Sequence, residues 1–555
     1  MNIGAFIRTV KYLKPYQIWA RVDYRFRCMY YATPLYGLLE PEVEPFEKLI
    51  VSPPVLWKGS KKAGREIAKL KFNFLNQKIN MDEDINWYPQ EATALWVYHL
   101  HYFEWLKHLN TLKQEGLEPA REMVSSWIFK CDQFNKISWH PYPLSLRIIS
   151  WVSYANWLTD GSSESFKNQF LDSLARQIDH LQRVVEWDVE GNHIIKNLKA
   201  LIFVGLCIKG KQSIYLDALE TLLKQLKKQI LPDGGHYEKS PHYHVDVLKD
   251  LIEIKSLITK SGQAVPAQFD DIIDRMVEVL AFYRYPDGAL GLFNDGEINT
   301  NKHLNEILKY RGSVEKPPHL LEDTGYARLE RGKTLVMMDV GKCCPDELPA
   351  HAHADTLSFE LCIDKERIFV NQGTYLYQHK LRNILRGTKA HNTVCVDNEN
   401  SAEVWKTFRL GRRPEKVTCM VKKAPQVGIG VEGEHDGYRH IGVKHERRIF
   451  LSEDGENIRG EDFLVGKKGS KQHKIEAFFH LHPSVEHHLI SYTEAEITTK
   501  NKQKFVFKIE GGCFQEKEGV YAPFFGKKEP IKTLSVKGKW QSAGQCVIKW
   551  GLTKK

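Results

Sequence analysis

Residues 351–396 read HAHADTLSFELCIDKERIFVNQGTYLYQHKLRNILRGTKAHNTVCV. Three pieces of this stretch, 356–363, 367–370 and 392–396, are short, alternating and rich in Val, Ile, Phe and Thr, as half-buried strands are. The same pattern returns at 334–340, 447–451, 475–481 and 504–509, with Gly, Asp and Asn between the runs. From about residue 320 onward the chain therefore reads as an antiparallel β-sandwich. If the alternation also covers the start of the stretch, His351, His353 and Asp355 project from one face. Two imidazoles and a carboxylate on one face point to a metal, a reacting proton or a bound anion.

The period differs before residue 320. Segments 146–158, 171–187, 197–209, 215–231, 245–259 and 269–283 carry apolar residues at helical spacing. Gly161, Gly191, Pro232-Asp233-Gly234-Gly235, Gly262 and Pro286-Asp287-Gly288 separate them. Repeated antiparallel helix pairs over this length imply an α/α toroid or solenoid of helical hairpins. At 555 residues the chain exceeds one ordinary core. The expected organisation is a lead-in segment 1–85, a toroid 86–315 and a sandwich 320–555. The break falls at 311–322, where Gly312 and Pro317-Pro318 interrupt both periods. No Ser- or Gly-rich linker lies between the halves, which favours close packing and a ligand cleft.

With 42% hydrophobic and 27% charged residues the composition is that of a soluble globular protein. No run is long and apolar enough to span a bilayer. Arg8, Lys11 and Lys14 interrupt the N-terminus, so no signal peptide is legible. The expected location is the cytoplasm, or the periplasm or exterior by an unread route. The net charge of +10 suits encounters with polyanions, nucleic acids and acidic polysaccharides among them, although on charge alone a solubility charge with no specific partner is the preferred reading. The ten cysteines form no CxxC pair and read as free thiols.

Four motifs carry candidate chemistry. In Trp139-His140-Pro141-Tyr142 followed by Arg147, aromatic faces and a cation meet at a helix start; they suit a sugar ring and an acid group, or simply a packed helix end. Gly191-Asn192-His193 offers neutral donors near a helix N-terminus, where a carboxylate would sit well, although an Asn cap beside a surface His is equally consistent. Asp233-Gly234-Gly235-His236-Tyr237-Glu238-Lys239-Ser240-Pro241-His242-Tyr243-His244 is denser in His and Tyr than packing asks for. Trp405, Lys406, Phe408, Arg409, Arg412 and Arg413 interleave aromatics with cations, as an anionic chain would require; a charge-guarded strand edge is the structural alternative. No nucleic-acid fingerprint is present, so nucleic acid is not an expected partner.

Taken in order, Gly-Asn-His, Asp-Gly-Gly-His-x-Glu-x-Ser-Pro-x-Tyr-His, His-Ala-His-Ala-Asp, Gly-Thr-Tyr and His-Asn-Thr-Val resemble the heparinase II/III-like polysaccharide lyases from about Trp87 to Arg412. The resemblance implies an α/α toroid followed by a β-sandwich, and β-elimination on a uronic-acid-containing polysaccharide such as a glycosaminoglycan or alginate. It implies that Asn192 and His193 face the uronate carboxylate, that Tyr243 exchanges a proton with substrate and that His351 is catalytic. The residue chemistry of their own motifs, apart from the resemblance, makes Trp139, His140, Tyr142, Arg147, His236, His244, Trp405 and Arg409 the candidate substrate contacts. A zinc ion held by His353, position 371 and His391 is also implied, with no organic cofactor. The family pattern has Asp where this chain has Asn371, a poorer zinc ligand, for which Asp355 or Asp397 would have to compensate.

The chemistry explains why such residues are needed. Removing the C5 proton of a uronate adds charge to a group already anionic, so neutralising donors come first. A tyrosine base starts near pKa 10 and needs neighbours, among them His236, His242, His244 and His351, that stabilise its phenolate. Either Tyr243 or His351 then supplies the proton to the departing O4. The competing readings are a non-cleaving glycan-binding or assembly protein of exopolysaccharide metabolism, a uronate epimerase and a glycoside hydrolase in the same cleft.

Overall fold

The computed structural model describes residues 3–34, 36, 43, 46, 49–298, 302–311, 316–466, 472–540 and 544–555. Gly312, read above as part of the domain break, lies outside them. Among the described residues no helix is long and apolar enough to cross a membrane. The chain forms two compact units. One comprises Lys14–Gln229 with Asp246–Ile273, the other Met1–Leu13, Ile230–Val245 and Asp274–Lys555.

The first unit is helical apart from the hairpin Lys71–Phe74/Gln77–Asn80. Its helices include Pro141–Thr159, Glu164–Arg183, Gly191–Cys207 and Gln212–Gln229, close to the predicted spans. Their starts lie a few residues earlier than hydrophobic period alone suggests, because capping sets them. Pro141 occupies the first turn and His140 accepts from the Tyr142 N–H. Ser163 accepts from the Phe166 N–H, with Glu164 in the first turn and Arg183 in the last. The core is aromatic: Trp96, Trp105, Trp127 and Trp151 are fully buried, and Phe103 meets Trp127 and Trp151 edge-on.

Among its described residues the second unit holds three larger antiparallel sheets and the two-stranded ladder Val404–Lys406/Arg409–Leu410. Five strands run in chain order from Leu320–Leu321 through Tyr326–Arg331, Thr334–Asp339 and Phe359–Ile363 to Glu366–Phe369. A four-stranded sheet has the order Gly512–Phe524, Lys527–Gly538, Ile475–His480, Val394–Val396. The third sheet has eight strands, with Val443–Ser452, Asn457–Gly466, Gln545–Lys554 and Lys504–Glu510 at its centre. Strand 443–452 alternates strictly, burying Val443, His445, Arg447, Ile449 and Leu451. Phe359 stacks on Trp550 at 5.0 Å, with Phe479 and Phe507 beside them. All ten cysteines are free and most are buried.

Gly460 pairs across the ladder with Trp550, and a Cβ at that position would run into the indole. Gly460→Ala is expected to destabilise the sheet-rich unit by about 1–3 kcal/mol, as overpacked cores do. A lowered urea midpoint for the loss of tryptophan fluorescence checks this.

Candidate active site

Tyr243 lies in the first turn of the helix Pro241–Lys260. Before it, Lys239 takes a φ of 58°. The Lys239 carbonyl accepts from the Tyr326 hydroxyl at 2.7 Å and from Asn294 Nδ2 at 2.9 Å, which fixes the turn. Ser240 caps the helix: its hydroxyl accepts from the Tyr243 N–H at 3.3 Å and donates to the Asp295 carbonyl at 2.6 Å. The half-buried Tyr243 ring lies on His351, centroids 4.0 Å apart and planes at 33°. The Tyr243 hydroxyl shares a 2.6 Å hydrogen bond with the Tyr377 hydroxyl.

Asp295 is fully buried and organises these groups. Its carboxylate accepts from His351 Nδ1 at 3.0 Å, His353 Nε2 at 3.0 Å, Thr374 Oγ1 at 3.1 Å and Arg382 Nη2 at 2.6 Å, and also from Arg382 Nη1. Burial pushes a carboxyl up; the Arg382 guanidinium and the two imidazoles overcome it and hold Asp295 well below the usual range. His351 Nε2 lies 3.6 Å from the buried Glu238 carboxylate. Arg382 also lies against the Tyr377 ring, 4.8 Å from its centroid. Asp295, Arg382 and Tyr377 carry no sequence signal: Asn294-Asp295-Gly296 reads as an ordinary turn, and the other two sit in polar chain. Glu238 was visible only as a member of its motif.

The segment 351–355 is not the expected strand. It is irregular chain held by the buried Arg386, whose Nε donates to the Ala352 carbonyl at 2.9 Å and whose Nη2 donates to the Pro349 carbonyl at 3.1 Å. The Ala354 N–H in turn donates to the Arg386 carbonyl at 2.9 Å. His351 and His353 nevertheless meet at Asp295, through loop geometry rather than pleat.

His353, Asp355 and His391 converge as a buried group whose ligand atoms lie within 4.8 Å of one another. His391 Nδ1 is 2.9 Å from the Gly387 carbonyl, so that nitrogen carries the proton. His353 Nε2 faces the ionised Asp295, so that nitrogen carries the other. Burial lowers His353 to about 4 and His391 well below its usual value, so both rings are neutral. The remaining nitrogens, His353 Nδ1 and His391 Nε2, then point lone pairs at each other across 3.0 Å. Asp355 Oδ1 meets no N–H donor among the described residues, but the buried Asp339 carboxyl hydrogen-bonds Asp355, and burial pushes both carboxyls up. Facing lone pairs beside a buried carboxyl fit a cation. Asp355, not Asn371, is the acidic member. The Asn371 Oδ1 is engaged by the Asn392 N–H at 3.1 Å, and the Asn371 N–H donates to Glu360 at 3.0 Å. Asp397 is bonded instead by His473 and the Lys474 N–H, each at 2.7 Å. From the sheet core, Arg447 donates to the Leu357 and Asn392 carbonyls while paired with Asp462 at 2.7 Å, which ties the loops of Asp355 and His391 together.

In the helical unit, Asn192 and His193 open the helix Gly191–Cys207. His193 Nδ1 lies 2.9 Å from the buried Glu186, which also accepts from Asn197 at 3.1 Å. The Tyr142 ring stacks on His193 at 4.3 Å, and His140 Nδ1 lies 3.9 Å from Glu186. Glu186 was missed in the sequence, yet it orients this group. Burial pushes its carboxyl up, but His193 and His140 together hold it below the usual range.

Several expected substrate contacts are structural. Arg147 is fully buried, donating to Gln177 at 2.7 Å and the Ser138 carbonyl at 2.8 Å, with its guanidinium 4.0 Å from the Trp127 centroid. Trp139 is buried and donates to the Cys131 carbonyl at 2.9 Å. His236 and His244 are fully buried, and burial lowers each to about 4, so neither supplies positive charge near neutral pH. His244 further spends its ring nitrogens on the His236 N–H and the Met276 carbonyl. Trp405 donates to Thr9 at 2.9 Å, and Arg413 packs 4.0 Å from the Tyr12 centroid. Arg409 is half-buried in the same small hairpin. Phe408 from this strip meets the Tyr377 ring at 5.2 Å.

A helical-hairpin unit, a strand-rich unit and a Tyr–His pair anchored on a buried carboxylate describe a polysaccharide lyase with the toroid-plus-sandwich fold. The Heparinase II/III N-terminus domain matches residues 55–316, and the Heparinase II/III-like, C-terminal domain matches residues 314–551. The chain belongs to the heparinase II/III-like family, a family of polysaccharide lyases. It is similar to the heparin-sulfate lyase of Bacteroides stercoris, with 22% identity over 403 residues, 66% of this chain and 58% of that protein. It is also similar to FtsZ-localized protein C of Caulobacter vibrioides, with 27% identity over 402 residues, 69% of each. The crystal structure of heparinase III has the same fold, with a TM-score of 0.75 at 19% identity over 96% of this chain and 89% of that one.

Removing the Asp295 carboxylate leaves Arg382 buried and unpaired. Asp295→Ala is therefore expected to destabilise by about 3–5 kcal/mol, against about 1 kcal/mol for Thr374→Val, which removes one neutral donor. Equal losses in chemical denaturation would contradict the central place given to Asp295.

Proposed function

We propose that the protein cleaves a uronic-acid-containing acidic polysaccharide by β-elimination. Tyr243 takes the C5 proton, the C4–O4 bond breaks as the C4–C5 double bond forms, and the departing O4 receives a proton from Tyr243 or His351. The observation that carries this reading is the half-buried Tyr243, whose ring lies on His351 and whose hydroxyl is 2.6 Å from the Tyr377 hydroxyl. A phenolate at Tyr243 would accept from the Tyr377 O–H, and such donation to the charged form lowers its free energy. Asp295 keeps His351 in one orientation, as a carboxylate does for a catalytic imidazole. Asn192 and His193 take the uronate carboxylate in this reading, with His193 oriented by Glu186.

The residues fit a zinc ion held by His353, His391 and Asp355. When bound it supplies fixed positive charge that braces the loops of this unit. A chain that binds the polymer without cleaving it is the second reading, favoured by Asn371.

Incubation with a panel of uronate polymers, heparan sulfate first, is expected to raise ultraviolet absorbance from an unsaturated sugar end. Tyr243→Phe should reduce that rate by at least about 100-fold, the usual contribution of a positioned proton-transfer group, with an unchanged melting temperature. Full activity in Tyr243→Phe contradicts the assignment of the base; tight binding with no absorbance change across the panel supports the second reading. Separately, His391→Ala and Asp355→Asn are expected to lose bound zinc by elemental analysis, whereas Asn371→Ala retains it.

A further inference from the structure

The small hairpin Val404–Lys406/Arg409–Leu410 is held by two sets of side chains. The first comes from the site itself. Arg382 Nε donates to the Thr407 carbonyl at 3.0 Å, and Arg386 Nη1 donates to the Lys406 and Thr407 carbonyls, each at 3.0 Å. Both guanidiniums are buried, so these carbonyls are partners they cannot give up cheaply. The second set comes from the helix Ile3–Val10. Arg8 grips Glu403 at two points, with Nε at 2.8 Å and Nη2 at 2.6 Å, and the buried Thr9 hydroxyl accepts from Trp405 Nε1 at 2.9 Å. The turn fixed in this way presents Phe408, which is 40% exposed. A lone exposed phenylalanine ordinarily needs no explanation. Phe408 differs in what it adjoins: its ring meets Tyr377 edge-on at 5.2 Å, the Arg382 guanidinium lies 5.5 Å from its centroid, and the Tyr377 hydroxyl is 2.6 Å from that of Tyr243. Loop tips are ordinarily polar and loosely held; this one is fastened by Arg8, Thr9, Arg382 and Arg386 and carries an aromatic face.

Position and chemistry select the occupant. A pyranose ring carries C–H groups on its faces and polar groups at its edge, so it packs on an aromatic ring while its hydroxyls and acid group stay solvated or paired. Lys406, in the same hairpin, is exposed, and its charge suits an acidic sugar. We propose that Phe408 is the platform on which the polymer's sugar next to the cleaved bond packs, and that Arg8 and Thr9 are positioning residues that hold this platform through the hairpin. The proposal rests on the reading of Tyr243 as the base, because that reading is what makes the neighbourhood of Tyr377 the place where the polymer lies.

The test uses the full chain and heparan sulfate. Steady-state constants come from ultraviolet absorbance, and dissociation constants from calorimetry in the Tyr243→Phe background, where the polymer should stay uncut. Phe408→Ala is expected to raise KM and the dissociation constant by about tenfold with kcat unchanged, as the loss of binding shared by ground and transition states does. Phe408→Trp keeps an aromatic face and should restore both constants. Thr9→Val keeps the side-chain shape but removes the acceptor for Trp405. It should raise both constants less than Phe408→Ala does, and it should speed hydrogen exchange in residues 402–410 while leaving the strands 443–452 and 457–466 as protected as in the wild type. Unchanged constants in Phe408→Ala, or a lowered kcat at unchanged KM, overturn the platform. Unchanged exchange at 402–410 in Thr9→Val, or exchange quickened in the sheet strands as well, overturns the positioning role. A wild type that binds heparan sulfate without producing absorbance ends the lyase reading alone, and the dissociation constants of the Phe408 variants still decide the platform. A wild type that binds no polymer of the uronate panel overturns both.

Discussion

Five hydrogen bonds converge on the Asp295 carboxylate, from the two terminal nitrogens of Arg382, from His351 and His353, and from Thr374. A buried anion is tolerated only when its lone pairs are met, and here these donors meet them. Pairing with Asp295 aims His351 at Tyr243 and fixes the tautomer of His353, which leaves a lone pair for the neighbouring cluster. Arg382 reaches the Tyr377 ring from the same anchor. The orientation of His351 and the tautomer of His353 thus depend on one carboxylate.

The fold was legible because burial leaves a period. The spans 215–231 and 269–283 match the helices Gln212–Gln229 and Gln268–Tyr283, and 504–509 matches the strand Lys504–Glu510, since each buries one regular face. The same rule misread 351–355, where the alternation of His with Ala mimics a pleat; the guanidinium of Arg386, far along the chain, shapes that loop instead. Tyr243, His351, His353 and His391 stand out as candidates because their motifs are dense. Asp295, Arg382 and Tyr377 were not, since a long-range ion pair leaves no local trace. Arg147 and His244 look like ligand-binding residues in sequence because the residue types that grip a substrate also satisfy buried backbone carbonyls. Burial, which sequence does not display, separates the two uses.

The sheet core extends this logic. His445 and Arg447 occupy inward positions that alternation assigns to apolar residues, and Asp462 and Trp550 answer them from neighbouring strands. Arg447 then carries the core's rigidity outward to the loops of Asp355 and His391.

The assignment of protons around Asp295 is tested most directly by neutron crystallography of the deuterium-exchanged protein. Deuterons are expected on His351 Nδ1, His353 Nε2 and His391 Nδ1, with none between His353 Nδ1 and His391 Nε2. A deuteron on His353 Nδ1 with a bare Nε2 facing Asp295, or one on Asp295 itself, would contradict it.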